Sequence, residues 1–120
     1  KAMEWYSKAA DLGDSDAMNN IGWLYQNGLG VDQDYAKAME WYSKAADLGN
    51  TYAMNNIGIL YNDGLGVDQD YAKAMEWYLK AVDAGNTDYT IMDNIAQMYE
   101  NGEGVPVDYV KAKEWRDKAE

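Results

Sequence analysis

The sequence has no cysteine and no histidine. Without cysteine there is no disulfide framework, thiolate nucleophile or thiolate metal site, and the redox compartment is left open. Without histidine the commonest general base, the commonest metal ligand and the ordinary catalytic triads are gone. Hydroxyl side chains are sparse too: Ser7, Ser15, Ser43, Thr51, Thr87 and Thr90 are all the serines and threonines. Any chemistry would have to run on carboxylates, lysine and tyrosine, which weighs against an enzyme. No apolar run approaches the roughly 18 residues of a membrane span, so membrane insertion is not expected. Positive charge is scarce: 10 Lys and Arg face 21 Asp and Glu, giving a net charge of −11 and a pI near 4.2. Such a field disfavours nucleic acid and anionic lipid and favours basic or polar partners.

What is present is a repeat. The 120 residues, 48% of them hydrophobic, suit one folded domain spanning 1–120. Lys1–Gly13 reads KAMEWYSKAADLG, and Lys37–Gly49 is identical. Lys73–Gly85 reads KAMEWYLKAVDAG and Lys111–Glu120 reads KAKEWRDKAE. A second block recurs from Ala17, Ala53 and Ile91. The first two steps are 36 residues and the last is 38, the two extra residues falling between Asn86 and Ile95. A period of this size points to a solenoid or array.

Each unit carries two helical patterns. In the first, Ala17, Ile21, Leu24 and Tyr25 recur on one side. Asp14, Asn50 and Asn86 stand where N-caps are wanted, because their side-chain oxygens can accept first-turn N–H groups. Asn27-Gly28, Asp63-Gly64 and Asn101-Gly102 stop these helices. In the second pattern Ala38, Tyr42 and Ala45 form the buried stripe, with Trp41 beside it. Asp34, Asp70 and Asp108 are its N-caps, and Gly13, Gly49 and Gly85 close it. Glu40 and Lys44 form an i,i+4 ion pair on the wet face. Pro106, in place of Asp32 and Asp68, suits a residue ahead of a helix. The prediction is a lone second helix (1–12) and three helix pairs (14–48, 50–84, 86–119). The corresponding units are 1–13, 14–49, 50–85 and 86–120. No pair can bury its own apolar face, so neighbours must stack. Gly22, Gly58, Ala96, Ala38, Ala45, Ala74 and Ala81 allow close approach, and Tyr25, Tyr61, Tyr99, Tyr42 and Tyr78 fill the space between.

At these residues the sequence resembles the Sel-one-like repeat (SLR) family of tetratricopeptide-like α/α solenoids. The family pattern is A-x-x-x-L-G-x-x-Y, then G-x-G-V, then D-x-x-K-A-x-x-W-Y-x-K-A-A. The first full unit carries it at Ala17, Ile21, Gly22, Tyr25, Gly28, Gly30, Val31, Asp34, Lys37, Ala38, Trp41, Tyr42, Lys44, Ala45 and Ala46. The second repeats it from Ala53 to Ala81. The third departs at Ala96 and Arg116. The resemblance implies an all-α, right-handed superhelical solenoid of antiparallel helix pairs with about seven helices. It also implies an adaptor that holds partner proteins. Some bacterial relatives brace each pair with a disulfide, and this cysteine-free chain departs from them.

The ends differ. The last helix is more polar, with Lys113, Arg116 and Asp117, and reads as a C-terminal cap. The sequence opens mid-unit with Met3, Trp5 and Tyr6 and no first helix to cover them. Either more units precede it, or this face pairs with another copy. Near-identity between units fits recent duplication or a consensus-like design.

By helical phase and family resemblance, the inner, concave face should present Asp16, Asn19, Asn20, Trp23 and Asn27 from the first full unit. The second should add Tyr52, Asn55, Asn56, Ile59 and Asp63, and the third Thr90, Asp93, Asn94, Gln97 and Asn101. Amides bond a peptide backbone in both directions, and Trp23 and Ile59 offer apolar anchors. Trp23 is the most informative, because the repeat has Ile59 and Gln97 at the same place. A purely structural role is the competing reading, with Asn20, Asn56 and Asn94 bonding neighbouring helices. The Trp-Tyr pairs read as core. The acidic turns lack a calcium-loop ladder, and Gly28-Leu29-Gly30 lacks the setting of a phosphate loop. No metal and no cofactor are therefore expected, and the lysines read as a solvated, salt-paired surface. The leading function is a non-catalytic scaffold that binds a peptide or protein segment in a polar, acidic groove. The alternative is a structural or consensus-designed array without its own ligand. A carboxylate-based glycan hydrolase is the remote third.

Overall fold

The computed structural model describes residues 2–119. Lys1 and Glu120, the outer ends of the first and last repeat segments, lie outside the described residues. The fold is an all-α solenoid of seven helices, with no strand among the described residues. They are α1 (Ala2–Asp11), α2 (Ser15–Asn27), α3 (Tyr35–Asp47), α4 (Thr51–Asp63), α5 (Tyr71–Asp83), α6 (Tyr89–Asn101) and α7 (Tyr109–Ala119). The closest associations are within the pairs α2–α3, α4–α5 and α6–α7, and each second helix also packs on the next first helix. Stacking in one direction makes the molecule long, 46 × 27 × 20 Å.

The helix ends follow from short polar side chains. Asp14 accepts from the backbone N–H groups of Asp16 and Ala17, and Asn50 from that of Ala53. Asp34, Asp70 and Asp108 accept from Lys37, Lys73 and Lys111. Asn86 corrects the sequence reading: α6 is capped by Asp88, which accepts from the Thr90 N–H, and starts only at Tyr89. The two extra residues enter as an additional turn ahead of the helix, and Asn86 Oδ1 accepts from the Asp88 N–H instead. At the other end Gly28, Gly64 and Gly102 adopt the left-handed conformation (φ 64°, 67° and 69°) that ends α2, α4 and α6. The G-x-G turn has a second use. A Cβ on Gly66 would lie 2.5 Å from Tyr35 Cβ, and one on Gly104 would lie 2.6 Å from the Tyr71 carbonyl carbon. These glycines let each turn settle on the backbone of the preceding unit.

The core is a row of clusters rather than one centre. Ala38, Tyr42, Ala45, Ala53, Ile57 and Leu60 form the middle cluster, and Ala74, Met75, Tyr78, Ala81, Ile91, Ile95 and Met98 form the next. At the N-terminal end Met3 and Tyr6 are half-buried against Ala10, Ala17 and Ile21, while Trp5 is 72% exposed. Tyr42 and Tyr78 are the largest fully buried side chains. Each sits against a glycine of the paired helix, where a Cβ on Gly22 or Gly58 would come within 2.6 Å of the ring. The third unit exchanges both halves of this contact at once: Ala96 replaces the glycine and Arg116 replaces the tyrosine.

Gly58→Ala therefore gains roughly 1 kcal/mol of helix propensity but overpacks the Tyr78 ring. A net loss of about 1–2 kcal/mol is expected in urea denaturation, from the usual cost of forcing a core apart. Burial pushes the hydroxyls of Tyr42 and Tyr78 above their ordinary pKa of about 10, with Asp63 and Glu103 adding to the effect at Tyr78. The folded state then keeps protons that the unfolded chain releases. Their contribution to stability should be complete below about pH 10 and lost as pH rises beyond it. Tyrosine absorbance should show Tyr42 and Tyr78 ionising only as the chain unfolds.

Candidate functional site

Side-chain amides tie α2 to α4, and α4 to the segment ahead of α6. Asn50 Nδ2 donates to Asp16 Oδ1 at 2.8 Å and to Ser15 Oγ at 3.3 Å, and Asn86 Nδ2 donates to Thr51 Oγ1 at 3.2 Å. One turn further along, Asn56 Nδ2 donates to Asn19 Oδ1 at 2.9 Å. Of the amides assigned to a binding face, Asn19 and Asn56 are thus joined to each other across α2 and α4. Asn20, Asn55 and Asn94 are half-buried, and Asn55 Oδ1 is buried without a hydrogen-bond partner. Asn27 donates to the Trp23 carbonyl at the end of its helix, and Asp63 accepts from Asn62. Asp16, Asp93, Thr90, Gln97 and Asn101 are exposed, and Ile59 is half-buried against the cluster around Tyr78 and Ile95. Trp23 is 49% exposed and Tyr52 57%. Both side chains are accessible to solvent, Trp23 within α2 and Tyr52 at the start of α4.

The lysines depart from the sequence reading. Lys8, Lys44, Lys80 and Lys118 lie over the rings of Trp5, Trp41, Trp77 and Trp115, with Nζ 4.2–5.6 Å from the ring centres. Lys37, Lys73 and Lys111 lie over Tyr25, Tyr61 and Tyr99 at 5.4–5.5 Å. The expected Glu40–Lys44 ion pair is not formed, since the lysine head is taken by Trp41. Among the described residues the ion pairs are Lys113–Asp117 and Arg116–Glu100. The second stands where Tyr42 donates to Gln26 Oε1 at 2.6 Å in the first full unit. Its hydrogen bond holds the Glu100 carboxyl below, and the Arg116 guanidinium above, their ordinary pKa values. The sequence signal for the lysine placement was the W-x-x-K spacing, three residues on a helix.

Every described lysine and arginine is therefore engaged within the chain, and only two carboxylates are paired with them. The surface is left with uncompensated negative charge. Where α6 begins, a cleft of about 520 Å³ opens between the N-terminal ends of α4 and α6, walled by Tyr52 and Tyr89. Tyr89, the first residue of α6, was not among the predicted site residues; Ser15 and Thr51 stand at the same place at the start of α2 and α4.

The Sel1 repeat model matches residues 1–14, 15–50, 51–86 and 92–119, leaving out the inserted turn. The crystal structure of c5321, a protective antigen present in uropathogenic Escherichia coli strains displaying an SLR fold, is 40% identical, with a TM-score of 0.90. It is matched over 98% of this chain and 25% of its own. A Sel1 repeat protein from Oxalobacter formigenes is 33% identical, with a TM-score of 0.89 over 98% of this chain and 47% of its own. This chain thus spans a quarter and just under half of the two. Helicobacter pylori cysteine rich protein B shares the fold, at 24% identity and a TM-score of 0.71 over 98% of this chain and 83% of its own. No curated protein matches the sequence.

The amide ties separate structural from free asparagines. Asn50→Ala loses a cap and its bonds to Ser15 and Asp16, and should cost about 1–2 kcal/mol in thermal or urea denaturation. Asn20→Ala should stay within about 0.5 kcal/mol of wild type.

Proposed function

Because this chain belongs to the Sel1 repeat family, whose members in general act as protein-interaction scaffolds, we propose that it is a non-catalytic module holding a peptide or protein segment on the face of α2, α4 and α6. The observation that carries this reading is Trp23. Its indole is half exposed on a face otherwise made of amides, hydroxyls and carboxylates, at a position where the fold also accepts Ile59 and Gln97. Burying the rest of that ring is worth about 1–2 kcal/mol, which makes it an anchor. Asn20, Asn55 and Asn94 line the face beside it, and Asn19 and Asn56 stiffen it. Amides offer both donors and acceptors, which suits an extended backbone.

The electrostatics set the partner's chemistry. The net charge is −11, and the lysines and arginine among the described residues lie over aromatic rings or in local ion pairs. A basic segment would be steered to the face and would supply the missing positive charge. Capture from lysate on immobilised wild type and Trp23→Ala, followed by calorimetry with the partner obtained, tests this. Trp23→Ala should weaken binding at least tenfold, and affinity should fall as salt rises from 50 to 500 mM, titration points chosen to span the screening range. Equal affinity for both proteins would remove the anchor.

A further inference from the structure

The cleft lies at the start of α6, where one repeat is two residues longer than the others. In the preceding step Asn50 caps α4 and bonds back to Ser15 and Asp16, which draws the helix ends together. In this step Asn86 spends its oxygen on the inserted Asp88, and the cap passes to Asp88. The ladder behind it is also open. Asn19 Oδ1 accepts from Asn56, whereas its counterpart Asn55 Oδ1 has no donor. The widened step is walled by two exposed tyrosines, Tyr52 at 57% and Tyr89 at 63%, over a floor formed by Asn86, itself only 7% exposed. Thr51, Thr87 and Asp88 supply the remaining polar atoms. Its volume falls within the about 300–1,000 Å³ of small-ligand sites.

We propose that this cleft receives an arginine side chain of the bound segment. The proposal rests on the binding reading above and names the partner's chemistry. A helix start would ordinarily favour an anion, but Asp88 already occupies that role and places a full negative charge there, against the roughly half positive charge of the helix end. Asp88 uses one oxygen on the Thr90 N–H, and a carboxylate can accept several further donors. Tyrosine faces attract a cation, and the planar guanidinium both stacks and donates in a fork, which an ammonium cannot do. Seven lysines rest on aromatic rings of this chain, six of those rings half-buried, whereas the exposed Tyr52 and Tyr89 have no such cation among the described residues.

The test is an amide-resolved NMR titration of the whole chain with N-acetyl-arginine amide, its neutral isostere N-acetyl-citrulline amide, and N-acetylglucosamine as a sugar that also stacks on aromatics. Arginine should shift Thr51, Tyr52, Thr87, Asp88 and Tyr89, with citrulline at least fivefold weaker. Asp88→Asn keeps the cap, because asparagine caps as well as aspartate, and should weaken arginine binding at least threefold. Tyr89→Ala, at an exposed position held by Ser15 and Thr51 in the other units, should do the same. Equal response to citrulline, a response to the sugar alone, or arginine shifts untouched in both variants would overturn the proposal. If these fail while Trp23-dependent capture persists, only the cleft is disproved. If capture is independent of Trp23 while the arginine response stands, only the groove reading is.

Discussion

Tyr42 can sit against α2 only because Gly22 carries no side chain, and Tyr78 against α4 only because of Gly58. The contact fixes how near the two helices of a pair approach, and the buried area of two large rings supplies much of what a small pair cannot obtain alone. It also fixes orientation, because the ring fills the space between Ala38 or Ala74 and the partner helix. With the pair geometry set, the second helix presents its other apolar positions to the next unit, and the array grows. The third pair shows the same constraint from the opposite side. Once Ala96 fills the gap, a tyrosine no longer fits, and the chain carries Arg116, which reaches out to Glu100 at the surface. A buried, salt-insensitive contact is thereby replaced by an exposed ionic one at the last unit, where a wet outer face is needed.

The cations complete this architecture in a way that shapes the surface. Each lysine over a ring covers apolar area with its stem and is worth about 0.5–1 kcal/mol at an exposed site. Lys37, Lys73 and Lys111 join the two helices of a pair, since their tyrosine partners belong to the first helix. Used this way, the lysines do not neutralise neighbouring carboxylates. The acidity of the sequence is therefore expressed at the surface rather than absorbed in salt bridges, and it is available to a partner.

Much of the fold was legible because it is written several times. Identical segments at a fixed spacing give the helix pairs, and the Asn-Gly or Asp-Gly ends and the Asp caps give the boundaries. Errors arose where one copy differs. Asn86 aligns with Asn50, so the repeat assigns it a cap, yet two extra residues bring a better-placed Asp88 to the helix start. Lys44 is spaced to meet Glu40 or Trp41, and sequence spacing alone does not decide between them. A ring that is already half-buried holds the lysine stem, whereas an exposed carboxylate offers a screened charge. Trp23 was legible as an anomaly against Ile59 and Gln97. Tyr89 was not, because aligning Asn86 with Asn50 hides that Tyr89 follows the true cap, Asp88, as Ser15 and Thr51 follow theirs.

Trp23 and the two extra residues are departures from strict repetition on the first helices, and neither adds visibly to stability. Trp23 leaves an indole half in water and gains nothing from its neighbours that Ile59 or Gln97 lacks. Near the longer step Asn55 Oδ1 is buried without a hydrogen-bond partner, and Tyr52 and Tyr89 are exposed. Repetition of the 36-residue unit offers a closed ladder at no such cost, as Asn19 and Asn56 demonstrate. A face that keeps these side chains exposed while α1, α3 and α5 repeat almost unchanged calls for a cause. The groove reading supplies that cause: a segment lying across the first helices would cover the Trp23 indole and fill the space between Tyr52 and Tyr89.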